Sequence, residues 1–239
     1  MQVSTRAIVI SKIRYKDHDL IVKCYTREFG AKLYLLKNVL KTKKGKIKAA
    51  YFQLFSILEI DAIHKDSRSF QYLKDVKLYV NLDALYTNVA KTTIVMFLSE
   101  ILSSILKEEE KYTELYDFIE TSIIGLNTNN NFSNFHIIFL TELTKYLGFY
   151  PDQSAIHAPY FNLQEGKFEF NKHGAYSISG ENLTSLKQLL GTKFAVDKKL
   201  QFNQDQKQDV LNIILLYFKL HLGGFKEPRS LAVLNQVFK

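Results

Sequence analysis

The chain has 239 residues, of which 46% are hydrophobic, and its net charge at pH 7 is +8. This composition excludes a disordered chain, and the length allows one large domain or two modest ones. The single cysteine, Cys24, excludes an intrachain disulfide framework and a cysteine-based zinc site, and it suits a reducing compartment. We expect a cytoplasmic protein, because the first residues lack a signal-peptide pattern and the longest apolar run, residues 213–218, is too short to span a membrane.

The first third of the chain reads as strands. In one segment the apolar side chains of Leu20, Val22 and Cys24 alternate with Ile21, Lys23 and Tyr25, which is strand periodicity. Short polar breaks separate five such segments rich in β-branched and aromatic residues: 6–15, 19–28, 31–39, 52–63 and 69–79. Five short strands within residues 1–80 predict an N-terminal domain with a five-stranded OB-fold barrel.

From about residue 84 the apolar period becomes helical. Apolar residues recur every three or four positions in four segments: 94–105, 115–123, 135–147 and 211–222. Residues 148–180 interrupt these helices, and their turn residues and short alternation in 167–170 predict an irregular insertion with a small hairpin. The predicted class is α+β, with the OB-fold domain followed by a mainly helical domain over residues 81–239.

The positive charge belongs to the predicted barrel. Residues 1–80 contain 17 Lys and Arg against 7 Asp and Glu, a net charge of +10, whereas residues 81–239 contain 15 against 17, a net charge of −2. Such asymmetry points to a polyanionic partner, which is nucleic acid or an anionic membrane.

Residues 36–50, LKNVLKTKKGKIKAA, contain six lysines and no acid. Their excess over arginine favours contact with a sugar-phosphate backbone over bidentate readout of bases. Aromatic residues such as Tyr15 and Tyr34 lie between the basic residues of the barrel and offer surfaces on which unpaired bases stack. Many of these aromatic residues must instead belong to the hydrophobic core. The alternative interpretation of residues 36–50 is a solvated loop that has no binding partner. The predicted DNA-binding residues are Arg14, Lys16, Arg27, Lys32, Lys37, Lys41, Lys43, Lys44, Lys46 and Lys48.

Motifs for catalysis are weak. Gly45-Lys46 lacks the glycine that a P-loop requires at position 40, and neither a dinucleotide fingerprint nor a zinc-protease motif occurs. The cluster Asp17-His18-Asp19 is better explained as a polar turn between strands than as a metal or catalytic site. Cys24 is better explained as a buried thiol than as a nucleophile. We therefore predict no enzymatic activity, no catalytic residues and no cofactor.

Three segments resemble the bacterial DNA repair protein RecO family. In residues 5–43 the resemblance lies in a strand at 7–10, a polar turn with Asp-Leu-Ile at 17–21, a Thr-to-Gly turn at 26–30 and the lysines at 37–41. It continues in FLTELTKYLGFYPD (139–152) and LHLGGFKEPRSLAVL (220–234). The resemblance implies an OB domain followed by a helical domain. It also implies a recombination mediator that binds single- and double-stranded DNA, anneals strands, acts with RecR and helps RecA displace the single-strand DNA-binding protein.

The chain departs from this family in two places. Many members carry a four-cysteine zinc module in the region that matches residues 150–176, whereas this chain has no cysteine there, so we predict no metal. We expect the insertion to keep its shape by packing Tyr160, Phe161, Phe168 and Phe170. The resemblance also implies a groove for the acidic tail of the single-strand binding protein near Phe139, Leu143 and Lys145. The basic residues that some members place before this phenylalanine are here Ile137 and Ile138.

Two other classes of function compete with this hypothesis. An adaptor would use the basic barrel to bind an acidic partner protein. A nuclease or other hydrolase would need a carboxylate cluster with metal-ligand spacing, and none is evident in the sequence. The sequence therefore favours a non-enzymatic DNA-binding mediator, associated with the nucleoid.

Overall fold

A computed structural model describes residues 1–41, 46–65, 67–106, 111–191 and 200–238. Its contacts divide the chain into two compact units, one of Met1–Thr128 with Pro228–Ser230 and one of Asn129–Glu227 with Leu231–Lys239. The predicted domain boundary at residue 80 stays a prediction, since the first compact unit continues through three further helices, up to Thr128.

The first unit is built on a five-stranded antiparallel sheet. Its strands are β1 (Gln2–Tyr15), β2 (Asp19–Thr26), β3 (Gly30–Leu36), β4 (Ile57–Ile63) and β5 (Tyr72–Leu78), in the order β3-β2-β1-β4-β5. A register shift between Val9 and Ser11 lies where β1 passes from β4 to β2, and such a bulge bends a strand so that it serves both halves of a barrel. Gln71 closes the barrel against β3, because its backbone N–H donates to Leu33 O at 2.7 Å and its carbonyl accepts from Leu35 N at 3.1 Å. The predicted five-stranded barrel is confirmed.

Strand β2 is buried on both faces, which its alternation alone does not predict. Val22 and Cys24 face the barrel core as expected, but Tyr25 on the opposite face is also only 2% exposed. The reason is that helices cover this face: Tyr25 Oη donates to Tyr112 O at 3.3 Å, and the ring lies 6.1 Å from that of Tyr116.

Three helices complete the first unit: α1 (Asp83–Thr87), α2 (Val89–Ile105) and α3 (Thr113–Thr128). The helix α2 begins where Asn88 Oδ1 accepts the backbone N–H of Lys91 at 3.1 Å, a side-chain N-cap. Lys23 on β2 donates to the carbonyls of Ser103 and Leu106, each at 2.8 Å. A cation there is favourable because the last carbonyls of a helix carry the negative end of its dipole.

A second cation of the barrel, Arg6 on β1, binds Glu120 on α3. Arg6 Nη1 lies 2.7 Å from Glu120 Oε1, and the carboxylate side chain is 7% exposed. Burial raises the pKa of Glu120 above its ordinary value, and the charge of Arg6 draws it back down. A carboxyl whose pKa is raised in the folded state contributes most to the free energy of unfolding when it is protonated. Its contribution therefore declines as pH rises through the folded-state pKa.

We expect Arg6→Gln to lower the free energy of unfolding of the first unit by about 2 kcal/mol near pH 7, because it leaves a buried carboxylate without its counter-ion. The loss should shrink as pH falls into the acidic range, since Glu120 then takes up a proton. Urea unfolding at neutral and at acidic pH measures it, with Arg6→Gln/Glu120→Gln as the control. A loss that is equal at both pH values would show that the ion pair is not its cause.

The second unit is mainly helical and carries a small sheet. Its elements are α4 (Phe135–Tyr146), β6 (Tyr160–Asn162), β7 (Lys167–Glu169), β8 (Ser177–Ile178), α5 (Gly180–Leu190), α6 (Gln204–His221) and α7 (Leu231–Val237). The helices predicted at 135–147 and 211–222 are confirmed, and β6 and β7 form the predicted hairpin. The helices α5 and α7 were not predicted from the sequence, since both are short.

Two of the four aromatic residues expected to shape the insertion lie in its core. Phe161 and Phe168 are 1% and 5% exposed, with ring centroids 4.8 Å apart. Phe170 is instead 63% exposed, and Tyr160 is half-buried. Tyr217 of α6 completes the contact, because its ring lies 6.1 Å from that of Phe161.

Hydrogen bonds also join α6 to two places in the insertion. Tyr217 Oη donates to Phe149 O at 2.7 Å, and His221 Nε2 lies 2.9 Å from Leu163 O. The rings of Phe149 and His221 stack at 5.2 Å. Aromatic packing and these backbone contacts hold the insertion against α6.

Candidate nucleic-acid interface

The lysine stretch, residues 36–50, begins at the last residue of β3. Four of its six lysines, Lys37, Lys41, Lys46 and Lys48, are exposed. The other two, Lys43 and Lys44, lie outside the described residues. The exposed ammonium groups are therefore available to an anion, as the sequence predicts.

A groove of about 410 Å³ lies between the end of β3, the lysine stretch and β5. Three lysines line it: Lys37, Lys46 and Lys74. Asn38 shapes one end, because its backbone N–H donates to Asp19 Oδ1 at 2.7 Å and thus ties the stretch to the start of β2. The lining of the groove thus combines apolar residues with three lysines.

Aromatic rings alternate with cations along the same side of the barrel. Lys37 Nζ lies 5.7 Å from the centre of the Tyr72 ring, and Arg68 Cζ lies 5.4 Å from it. Two residues before Tyr72, Phe70 has its ring 6.4 Å from that of Tyr15, and Lys16 Nζ lies 5.5 Å from the centre of the Tyr15 ring. We call this surface the basic-aromatic face, with the members Tyr15, Lys16, Lys37, Lys46, Arg68, Phe70, Tyr72 and Lys74.

Half of this face was not predicted from the sequence. Its members Arg68, Phe70, Tyr72 and Lys74 lie in the loop before β5 and on that strand. From the sequence, Arg68 was assigned to a polar break and the other three to a strand. The alternation of basic and aromatic residues along 68–74 is the sequence feature from which they could have been predicted. In OB folds the β1–β2 and β4–β5 loops lie beside each other, and here the contact of Tyr15 with Phe70 joins them.

Other predicted DNA-binding residues have different surroundings. Arg27 makes a bidentate ion pair with Asp117 of α3, at 2.8 and 3.0 Å. This hydrogen bonding raises the pKa of Arg27 and lowers that of Asp117. Arg14 is exposed near the end of β1, and Lys32 is half-buried on β3. Arg27 thus already has a structural role, whereas Arg14 lies near the β1–β2 turn.

The expected peptide groove is not an open surface at its apolar residues. Phe139 and Leu143 are 1% and 0% exposed within α4, so both belong to the core of the second unit. Lys145 is on the surface, where its Nζ lies 2.7 Å from Glu142 Oε2 and 4.6 Å from the centre of the Tyr150 ring. The peptide site stays a prediction.

The remaining candidates for chemistry have structural explanations. Asp17 and His18 lie in the turn between β1 and β2, and His18 O accepts the backbone N–H of Leu40 at 3.0 Å. Cys24 is 1% exposed, and burial raises the pKa of its thiol. Within the described residues, no group of three or more His, Cys, Asp or Glu side chains is placed to hold a metal ion. None of the helices described combines the length and apolar character that a membrane crossing requires.

Known proteins match this chain over its whole length. The family model for the Recombination protein O N terminal matches residues 1–81, and that for the Recombination protein O C terminal matches residues 87–231. The DNA repair proteins RecO of Christiangramia forsetii and Flavobacterium johnsoniae are each 42% identical over 238 residues, covering 100% of both chains. That of Bacteroides fragilis is 30% identical over 243 residues, again with 100% coverage.

A five-stranded barrel followed by helices, together with these matches, defines a protein of DNA recombination and repair. The chain belongs to the RecO family, and the resemblance found in the sequence is confirmed.

Proposed function

We propose that the protein is a non-enzymatic recombination mediator that binds single- and double-stranded DNA through the basic-aromatic face and the lysine stretch. The observation that supports this most directly is the alternation of cations and rings around Tyr72, which lies between Lys37 and Arg68. Cations neutralise phosphates, and rings stack on unpaired bases of any sequence. The predicted contacts by Arg14, Lys32, Lys41 and Lys48 are part of this proposal.

Lysine contacts to phosphate carry no base information, so binding should show little sequence preference. The same charge neutralisation brings two complementary strands together, since two polyanions otherwise repel each other. Strand annealing follows from this property, and we propose loading of a recombinase from membership of the RecO family. The partners we propose are RecR, the single-strand DNA-binding protein and, indirectly, RecA, and the site of action is the nucleoid. An acidic peptide docking near Lys145 belongs to the same proposal.

An adaptor that binds an acidic protein through the same cations is the second candidate. The exposed lysines favour an acidic protein as much as they favour DNA. The rings of Tyr15, Phe70 and Tyr72, however, do not favour an acidic protein. Aromatic rings beside cations suit a ligand with both bases and phosphates. The contribution of the rings therefore separates the two functions.

Tyr15→Leu tests the role of the rings. Tyr15 is 38% exposed, and Leu keeps much of its apolar contact with Phe70. We expect affinity for a single-stranded oligonucleotide to fall about tenfold, as for the loss of one stacked base, and affinity for duplex to change little. Fluorescence anisotropy at two salt concentrations measures both.

Tyr176→Leu is the matched control, because Tyr176 is 41% exposed and lies in the second unit. If wild-type protein bound no oligonucleotide at low salt but bound an acidic protein, the adaptor function would replace the DNA-binding one. An equal loss for single strands and duplex in Tyr15→Leu would contradict stacking by this ring.

A further inference from the structure

The groove of about 410 Å³ beside the lysine stretch opens where the closure of the barrel ends, and we call it the β3–β5 groove. Among the described residues, β3 is bridged to the chain that enters β5 at one point, Tyr34 with Gln71. From there β3 runs on to Leu36 and β5 runs on through Leu73, and both of these residues line the groove. The groove is therefore a gap between two strands of the barrel, and residues of the lysine stretch complete its lining.

The apolar part of this lining is held by the barrel core. Leu36 and Val39 are core residues, 3% and 7% exposed, and Ile47 and Leu73 pack against the same core. Side chains fixed by core packing have little freedom left to lose when a ligand binds. The volume of the groove lies in the range of about 300–1,000 Å³ that is usual for small-molecule sites. The β3–β5 groove is thus a preformed apolar site for a group of that size.

Tyr72 connects the groove with the basic-aromatic face. Tyr72 is half-buried and lines the groove, and it is also the member of that face whose ring centre lies 5.7 Å from Lys37 Nζ. A nucleic-acid strand that follows the face past Tyr72 therefore passes the opening of the groove. A base on that strand reaches the apolar lining if no pairing partner holds it in place.

Three lysines of the lining, Lys37, Lys46 and Lys74, supply positive charge at the groove. Two of them contact neutral groups, since Lys37 lies beside the Tyr72 ring and Lys74 Nζ donates to Gln2 Oε1 at 2.8 Å. Within the part of the chain that the structure describes, none of the three makes an ion pair. Their charge is therefore available to a phosphate.

Acidic residues are absent from the described lining of the groove. Residues 42–45, which adjoin Lys46 in sequence and lie outside the described residues, are Thr, Lys, Lys and Gly, so they add no acid either. Two carboxylates adjoin the lining. Asp19 Oδ1 accepts the backbone N–H of Asn38 at 2.7 Å, and Asp75 Oδ1 accepts that of Val76 at 3.0 Å. Both carboxylates are thus bonded to the backbone, and the three lysines outnumber them.

A ligand with a flat apolar part and a phosphate beside it is a nucleotide. A base inside a duplex has both faces covered by neighbouring bases, so it enters a groove only after it leaves the stack. Leaving the stack costs least for a base that has no pairing partner. The β3–β5 groove therefore selects a nucleotide whose base is already unpaired.

We propose that the β3–β5 groove binds a bulged nucleotide, that is, one unpaired nucleotide within a DNA duplex. The base contacts Ile47, Leu73 and Tyr72, and the phosphates on either side of it contact the lysines of the lining. Bulges of this kind form where two strands anneal without perfect complementarity. This inference rests on the proposed DNA binding and adds a preference for duplexes that contain an unpaired base.

The test uses three duplexes of one sequence: fully paired, with one extra unpaired thymidine, and with an abasic nucleotide in place of that thymidine. The two bulged duplexes carry the same number of phosphates and differ only in the base. We expect the thymidine bulge to bind about tenfold more tightly than the abasic bulge, as for the gain of one stacked base. The abasic bulge and the fully paired duplex should agree within about twofold, since their phosphate charge is nearly equal. Fluorescence anisotropy measures all three.

Ile47→Trp tests the location of the site. Ile47 is half-buried, and the larger ring fills the groove, so the preference for the thymidine bulge should fall to about twofold. Leu78→Trp is the matched control, because Leu78 is 50% exposed at the end of β5 and does not belong to the described lining. Its preference should stay near the wild-type value, and urea unfolding checks that both variants fold.

Tyr72→Trp gives a second readout and leaves the groove open. The chain contains no tryptophan, so the new side chain is the sole indole. The thymidine bulge should quench its fluorescence more strongly than the abasic bulge, because only the thymidine places a base against the indole ring. In Leu78→Trp the two bulged duplexes should change the fluorescence equally.

Equal affinity for the thymidine and abasic bulges would overturn the groove site and leave the proposed DNA binding intact. Binding of none of the duplexes, and of no single strand, would remove the proposed function itself. A folded Ile47→Trp variant that kept the full preference would show that the unpaired base binds outside the groove. Thymidine monophosphate that quenched Tyr72→Trp as strongly as the thymidine bulge at equal concentration would assign the groove to free nucleotides instead.

Discussion

Replacing four lysines of the basic stretch by glutamine is expected to flatten the dependence of log DNA affinity on log salt concentration by about 3 units. The variant carries Lys41→Gln, Lys43→Gln, Lys44→Gln and Lys46→Gln. Each phosphate contact contributes about 0.9 to this slope on duplex and about 0.7 on single strands, because each neutralised phosphate releases its counter-ions. Four contacts therefore account for about 3 units.

The fold should tolerate this change. Lys41 and Lys46 are exposed, and substitutions at exposed positions without specific partners usually alter stability by less than about 0.5 kcal/mol. The affinity loss should be nearly equal for oligonucleotides of unrelated sequence, because lysine-to-phosphate contacts do not read bases. Annealing of complementary strands should slow in parallel. Binding titrations over a series of salt concentrations measure the slope.

A matched control removes four exposed lysines from the second unit: Lys167, Lys172, Lys219 and Lys226. It changes the net charge by the same amount but leaves the barrel intact, so its slope should stay close to that of the wild type. If the stretch variant folded normally and kept the wild-type slope, the lysine stretch would face something other than DNA. An acidic partner protein would then become the leading hypothesis.

Gly166→Ala is expected to lower the free energy of unfolding of the second unit by about 2–4 kcal/mol. Gly166 has a φ of +66°, in the left-handed region that L side chains rarely adopt. An added Cβ would lie 2.6 Å from Tyr217 Oη, well inside van der Waals contact. Tyr217 cannot move away freely, because the same hydroxyl donates to Phe149 O at 2.7 Å.

Gly174→Ala separates the two causes. Gly174 has a similar φ of +70°, but no described heavy atom beyond its chain neighbours lies within 4 Å of its added Cβ. It should therefore cost only the backbone strain, about 1–2 kcal/mol. Tyr217→Phe in the Gly166→Ala background should recover part of the loss, because it removes the colliding oxygen. Equal losses in Gly166→Ala and Gly174→Ala, measured by urea unfolding, would show that the collision does not contribute.

Gly166 also explains how the insertion holds its shape next to α6. The backbone passes so close to Tyr217 that only a residue without Cβ fits, and the tyrosine in turn fixes the segment at Phe149. Aromatic packing was expected here from Tyr160, Phe161, Phe168 and Phe170. Of these, Phe161 and Phe168 are buried and Phe170 is exposed, and the expectation did not include Tyr217. Tyr217 is distant in sequence, so no local pattern connects it with the insertion.

The sequence by itself determined the class of the fold and the order of its main elements. Alternation along residues 19–25 and helical periodicity along 135–147 are local patterns, and they set which face of each element is apolar. The concentration of lysine in residues 36–50 is likewise a property of composition, and it located an exposed cationic segment in advance. The family was also recognisable from short segments in a fixed order.

Only the tertiary structure decided which cations remain at the surface. Arg27 pairs with Asp117, 90 residues away, and Lys23 binds carbonyls at the end of α2, so neither belongs to an open basic surface. Closure of the barrel at Gln71 conversely brings Arg68 and Tyr72 beside Lys37. The physical reason is that an ion pair or a ring contact depends on distances between residues far apart in sequence. The periodicity of a single segment contains no information about those distances.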